Sequence, residues 1–190
     1  MKVLFGGGLG NQMFLYSFIF SQIQSNHVSV ESIEIYMNHN PYEDPRKYAL
    51  TPFSISLPLV EKNDSKGMNS IKYMILFRRI INKALTIINK QQNLSYILQK
   101  FGYVYSKHIF EYKNLFTITD KTILIEGAFQ SPRYFERFKQ DLQREFTVKI
   151  CPSKENQQML EQIESCNSVC VHVRRGDFLN NAYAKSLAVC

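Results

Sequence analysis

The opening of the chain narrows the choice of fold more than any other stretch. Lys2-Val3-Leu4-Phe5 is a short run with strand character. Gly6-Gly7-Gly8-Leu9-Gly10 follows, and then Asn11 to Gln24, largely apolar, with Met13, Phe14, Tyr16, Ile19, Phe20 and Ile23. A strand that ends in glycines and opens a helix is the start of an α/β unit. It leaves the backbone N–H groups of the first helical turn bare, so that a phosphate can approach them closely. Two standard motifs can be set against it. A P-loop requires Lys and then Ser or Thr after the last glycine, and Asn11-Gln12 stands there. A dinucleotide fingerprint starting at Gly8 requires a third glycine where Met13 stands, although Glu31 and Glu34 lie near the place of a ribose-binding acid. From these residues alone, the loop is either a tight turn or a phosphate cradle.

The rest of the chain alternates strands with helices, which predicts α/β layering around a parallel sheet. Ile33 to Met37 reads as a strand. Pro41 to Pro58 reads as a loop with a short strand at Phe53 to Leu57. Met68 to Leu98 reads as one long helix, because Ile71, Met74, Ile75, Ile81, Leu85 and Ile88 recur at helical steps. A β-rich stretch is expected from Tyr103 to Ile118 and a buried strand from Ile123 to Glu126. Pro132 to Phe146 reads as a helix capped by Ser131, and Ser153 to about Glu164 as another. Val169 to Val173 closes the series as a strand.

Composition excludes several classes. Hydrophobic residues make up 45% and charged residues 21%, which is globular rather than disordered. No apolar run reaches the ~20 residues of a spanning helix, and the N-terminus lacks the pattern of a signal peptide. A soluble, non-secreted protein is expected. Cys151, Cys166, Cys170 and Cys190 show no paired metal-binding spacing and read as reduced thiols.

The net charge of +7 is unevenly spread. Between Ser65 and Phe110 there is no acidic residue, while Lys66, Lys72, Arg78, Arg79, Lys83, Lys90, Lys100 and Lys107 all fall there. This is either a solvated face opposite a buried stripe or a contact with an anionic membrane surface or acidic glycolipid. Nucleic acid is a weaker reading, since no recognition motif accompanies the charge.

Two further places carry chemical information. In His172-Val173-Arg174-Arg175-Gly176-Asp177, His172 and Arg174 share one strand face at the strand's end. An Arg there offers a planar fork of donors to a phosphate, and Asp177 can orient a guanidinium. The alternative is a surface salt-bridge cluster. Glu126 to Phe135, with Gly127, Gln130, Ser131 and three aromatics, reads by itself as packing.

Taken together, these motifs resemble the family 11 glycosyltransferases, the α-1,2-fucosyltransferases. Gly7-Gly8-Leu9-Gly10-Asn11-Gln12-Met13-Phe14 looks like their opening motif. Gly127-Ala128-Phe129-Gln130-Ser131 with Tyr134-Phe135 looks like their mid-chain segment. His172 to Asp177 resembles their donor motif. Leu15, Ala128 and Phe178 depart from the residues usual at those places. The chain ends at Cys190, soon after the donor motif, and so looks like a truncated member.

The resemblance implies a GT-B architecture: a Rossmann-like acceptor-side domain over residues 1–150, and at 151–190 the start of a second, GDP-fucose-binding domain. It implies inverting, metal-independent transfer of L-fucose from GDP-β-L-fucose to the 2-hydroxyl of a terminal galactose, with no cofactor. Arg174 would be the catalytic residue, at the β-phosphate. Arg175 and Asp177 would orient it, and His172 would meet the nucleoside or sugar. Gly7, Gly8, Gly10, Asn11 and Gln12 would approach the pyrophosphate and fucose. A bacterial, cytoplasmic enzyme is expected, peripheral to the inner membrane face and acting on a lipid-linked or lipopolysaccharide-type glycan. With half of the donor pocket beyond residue 190, the chain alone is expected to show no measurable transfer. Two other readings stand beside this one. The first is a non-catalytic remnant that binds through its basic segment. The second is a nucleotide-cofactor oxidoreductase, which Met13 disfavours.

Overall fold

Short strands with apolar residues on both faces require cover on both sides. The computed structural model describes residues 1–38, 47–107 and 110–171, and it shows that cover. The chain forms two units, Met1–Lys149 and Ile150–Cys190.

In the first unit the elements run β1 (Lys2–Phe5), α1 (Leu9–Asn26), β2 (Ile33–Met37), β3 (Leu59–Glu61), α2 (Ser65–Ile87), α3 (Leu94–Gln99), β4 (Tyr103–Tyr105), β5 (Leu124–Glu126) and α4 (Lys139–Glu145). The strands make one parallel sheet in the order β3-β2-β1-β5-β4. Val3 sits between Ile35 and Ile125 at its centre. On one face Val3, Phe5, Ile35 and Ile125 pack against Leu15, Phe18 and Ile19 of α1. On the other, Leu4, Tyr36, Tyr103 and Leu124 meet Ile71 and Leu85 of α2 and Leu94 and Leu98 of α3. Each such side chain contributes roughly 1.5–3 kcal/mol by leaving water. α4 is tied to α1 by the Glu145 carboxylate, which accepts from the Tyr16 hydroxyl and from the Ser56 N–H.

α1 ends where His27 takes a left-handed conformation (φ 51°). α2 begins at Asp64, whose carboxylate accepts from the Gly67 N–H at 2.6 Å and from the Tyr36 hydroxyl at 2.9 Å. These two hydrogen bonds, the backbone one first, hold the Asp64 carboxyl below its ordinary value. Burial and the same carboxylate raise the Tyr36 phenol. A depressed carboxyl stabilises the fold above its unfolded value and loses that contribution as pH falls through the folded one. Asp64→Ala should therefore lower the Tm at neutral pH. The gap to wild type should close as pH drops below the usual aspartate range, as followed by circular dichroism.

Several sequence expectations are corrected. The long helix is two, because α2 stops at Ile87 and Asn89 turns left-handed (φ 53°) before α3. Ile88, expected in the buried stripe, caps α2 and is 57% exposed. The strand expected at Phe53 to Leu57 is a single antiparallel bridge, Phe53 to Val148. Pro52 and Pro58 bracket that stretch and have no N–H to give to a ladder. The sheet strand is Leu59–Glu61 instead. In the described part of Tyr103 to Ile118 only Tyr103–Tyr105 is a strand. Pro132 to Phe146 is not one helix but two 3-10 turns, Pro132–Tyr134 and Glu136–Phe138, followed by α4. Ser131 makes no capping bond there.

The second unit contains α5 (Lys154–Glu164). Its start is as expected, with the Ser153 hydroxyl accepting from the Asn156 N–H. Of the strand expected at Val169 to Val173, residues 172 and 173 lie outside the described residues, and Val169 and Val171 are not in a strand and are 87% and 80% exposed. A strand needs a neighbour to satisfy its backbone, and none pairs with them among the described residues. Also among the described residues, no helix is long and apolar enough to cross a membrane.

Candidate functional site

The five strands of the sheet are parallel, so among the described residues their C-terminal ends lie along one edge of it. The strand order reverses between β1 and β5, since β2 and β3 lie beyond β1 and β4 lies beyond β5. In open α/β sheets this switch point is where ligands bind. The two motifs that follow β1 and β5, Gly6 to Asn11 and Gly127 to Ser131, stand there. They touch: the Gln130 amide donates to the Asn11 side-chain oxygen at 2.6 Å, across 119 residues of sequence.

The loop after β1 is pinned from below. Gly7 is left-handed (φ +70°), and a Cβ there would fall 2.0 Å from the Asn11 amide nitrogen. Gln12 is 1% exposed. Its amide nitrogen donates to the carbonyls of Gly7 (3.2 Å) and Lys47 (2.9 Å), and its oxygen accepts from the Ala49 N–H (2.9 Å). The Gln12 side chain is thus fully used in holding the loop. Phe5 and Tyr48 meet edge to face nearby, and burial, then the Glu61 charge, pushes the Tyr48 hydroxyl up to about 12.

The upper side of the loop is bare. Gly8 caps α1 with no side-chain hydrogen bond, and the first turn holds no acid. A Cβ built at Gly8 or Gly10 would meet nothing within 4 Å among the described residues. No packing among the described residues therefore requires glycine at these two places. What they leave is a positive helix end that no described side chain obstructs, suited to an anion.

The turn after β5 is held by an aromatic anchor. Gly127 (φ +150°) leaves no room for a Cβ against Phe129 and Ser106. Phe129 is fully buried with a positive φ of 48°. Its ring stacks on Phe18 at 3.9 Å and meets the edges of Phe116 and Tyr134. The packing reading of this segment holds for Phe129 and Tyr134. Gln130 and Asn11 are what that packing presents at the switch point.

On the opposite face, at the same end of β5, Glu126 receives the Tyr103 hydroxyl and pairs with Arg78 at 3.4 Å. The Arg78 guanidinium also lies over the Tyr105 ring, 4.3 Å from its centre. Burial and the Glu126 charge raise the Tyr103 phenol. With both oxygens engaged, Glu126 serves the fold. Sequence reasoning missed this cluster and counted Arg78 as a surface charge. A signal was present: Arg78 falls seven residues after Ile71 and seven before Leu85, on the buried side of α2.

Of the residues expected at the donor, the structure brings Gly7, Gly8, Gly10, Asn11 and Gln12 together with Gln130. His172, Arg174, Arg175 and Asp177 lie outside the described residues. The acids invoked for a dinucleotide do not reach the site. Glu34 is opposite Lys2 at the far end of the sheet, and Glu31 precedes β2. Among the described residues, no cluster of three His, Cys, Asp or Glu could hold a metal ion.

The sheet is an open parallel α/β sheet with a glycine loop opening a helix at the switch point, the place where such sheets bind ligands. The chain belongs to glycosyl transferase family 11, whose family model matches residues 1–190. It is 29% identical over 180 residues to an alpha-1,2-colitosyltransferase of Escherichia coli, covering 94% of this chain and 55% of that protein. The chain thus spans about half the length of this relative. No solved structure matches it.

Proposed function

We propose that the chain is part of an α-1,2-fucosyltransferase that moves L-fucose from GDP-β-L-fucose to the 2-hydroxyl of a terminal galactose, inverting the anomeric centre without a metal. The observation that carries this reading is the meeting of the β1 and β5 loops, bridged by Gln130 and Asn11, beside two glycines that no packing among the described residues explains. Both loops lie in segments that resemble motifs of the family. In this reading the enzyme is a cytoplasmic GT-B transferase, and the first unit is its acceptor side. The N–H groups after Gly8 and the Asn11–Gln130 pair face the donor's pyrophosphate and sugar, and Gln12 fixes the loop from beneath.

Departure of GDP puts negative charge on the β-phosphate. Fixed donors aimed at that oxygen lower the barrier, because they are stronger partners to the transition state than to the ground state. Arg174 is assigned this task, with Arg175 and Asp177 orienting it and His172 contacting the nucleoside or sugar. The relative's name favours a second donor, one carrying colitose. Competition of the two nucleotide sugars for one enzyme decides between them by kcat/KM.

Gly10→Ala separates the site from the fold. Gly10 lies in the first turn of α1, and among the described residues nothing occupies the space where a Cβ would go. Alanine there should leave stability unchanged or raise it, by up to about 1 kcal/mol. It should nevertheless weaken donor binding, because the new methyl stands where a phosphate approaches. Calorimetric titration of GDP and a thermal melt on the same samples check both halves. Unchanged GDP affinity in a stable variant counts against the loop as donor site.

A further inference from the structure

α2 has two faces, and the outer one is not what a solvated helix presents. Inward, Ile71 and Leu85 are buried and Arg78 is committed to Glu126 and Tyr105. Outward, Tyr73 is 73% exposed, Leu76 53%, Ile80 57% and Ile87 77%. At 3.6 residues per turn these four fall within about 60° of the helix circumference, so they form a continuous apolar stripe. Lys72, Arg79 and Lys83 lie along one flank of it, all exposed. The sequence supplies no acid from Lys66 to Lys107 to pair with them.

We propose that this outer face of α2 docks on an anionic lipid bilayer. A helix that lies in the plane of a bilayer needs apolar side chains in its middle and cations at its edge. Both are present, and charge selects the occupant. The flanking row is cationic without an intervening acid, which fits a phospholipid surface and disfavours a second copy of this face, whose cations would meet like charge. The contact adds an attachment surface to the glycosyl transfer read above and does not depend on it. Arg78 takes no part, since it faces inward.

The test is co-sedimentation of the 190-residue chain with vesicles at physiological salt. Binding is expected to phosphatidylglycerol-rich vesicles and not to pure phosphatidylcholine, and to fall with added NaCl, since screening shortens the electrostatic reach to about 8 Å at that salt and further above it. Arg79→Gln with Lys83→Gln should reduce binding about tenfold. Leu76→Gln with Ile80→Gln should do so by a similar factor, about tenfold, by removing the inserted apolar surface. Both pairs are exposed, so circular dichroism should show an unchanged fold. Lys139→Gln with Lys149→Gln removes the same charge elsewhere on the first unit and should leave binding near wild type. Equal sedimentation with both vesicle types, binding insensitive to either α2 pair, or no binding at all would overturn the proposal. So would a dimer in sedimentation velocity that the Leu76 and Ile80 substitutions disperse while vesicles are ignored.

Discussion

Arg174→Lys is expected to abolish useful fucosyl transfer in a full-length enzyme carrying these 190 residues. Lysine keeps the charge but loses the planar fork that meets two phosphate oxygens at once. The leaving-group charge develops only in the transition state, so the loss should fall on kcat, by about 10²–10³, with a smaller change in KM. Steady-state kinetics with GDP-fucose measures both. A lysine variant that keeps wild-type turnover would remove Arg174 from the β-phosphate.

Phe129→Ala carries the largest expected effect on stability. Phe129 is fully buried, stacks on Phe18 and meets Phe116 and Tyr134 edge to face. Truncating such a side chain costs about 3–5 kcal/mol, through lost burial and the cavity left behind. For a unit of this size the Tm should fall by on the order of 10 °C. A functional consequence follows. Gln130, which donates to Asn11, follows directly on the buried Phe129. Phe129→Leu, which keeps most of the volume, should recover much of the Tm. If the anchor positions Gln130, this leucine variant should still bind GDP less tightly than wild type. A leucine variant with full stability and full affinity would show that the turn holds its place without the ring.

Local pattern carried the centre of the sheet. β1, β2 and β5 are short, apolar and bounded by glycine or polar residues, and each lies within a residue of its expected place. α1 was legible for the same reason, since its apolar residues leave no competing period. What local pattern could not carry was decided by neighbours. α2 and α3 read as one helix because Ile88 fits the 3.6-residue rhythm, yet the left-handed Asn89 breaks the chain there. Leu59–Glu61 was passed over for Phe53 to Leu57, because pairing beside Ile33–Ile35 is a tertiary fact. Three residues pairing parallel at a sheet edge give no alternation long enough to read.

The site was legible as separate motifs and not as a place. The glycine loop and the Gly127 to Ser131 segment each allowed a plain packing reading. Their contact through Asn11 and Gln130 exists only in three dimensions. Gln12 shows the reverse limit. Its motif position suggested a donor contact, while its burial and three backbone hydrogen bonds give it a supporting task. The Arg78–Glu126 pair stayed hidden because nothing local links two residues brought together by β5 and α2.

The central claim is tested most directly by transfer itself. A full-length enzyme carrying these 190 residues is given GDP-β-L-fucose and a galactose-terminated oligosaccharide in excess EDTA, and the product is read by mass spectrometry and NMR. We predict one fucose on the galactose 2-hydroxyl, in the α configuration, at the rate seen without EDTA. A sugar on another hydroxyl, a retained β linkage, a strict need for Mg²⁺ or Mn²⁺, or turnover of a different nucleotide sugar while GDP-fucose stays untouched would contradict it.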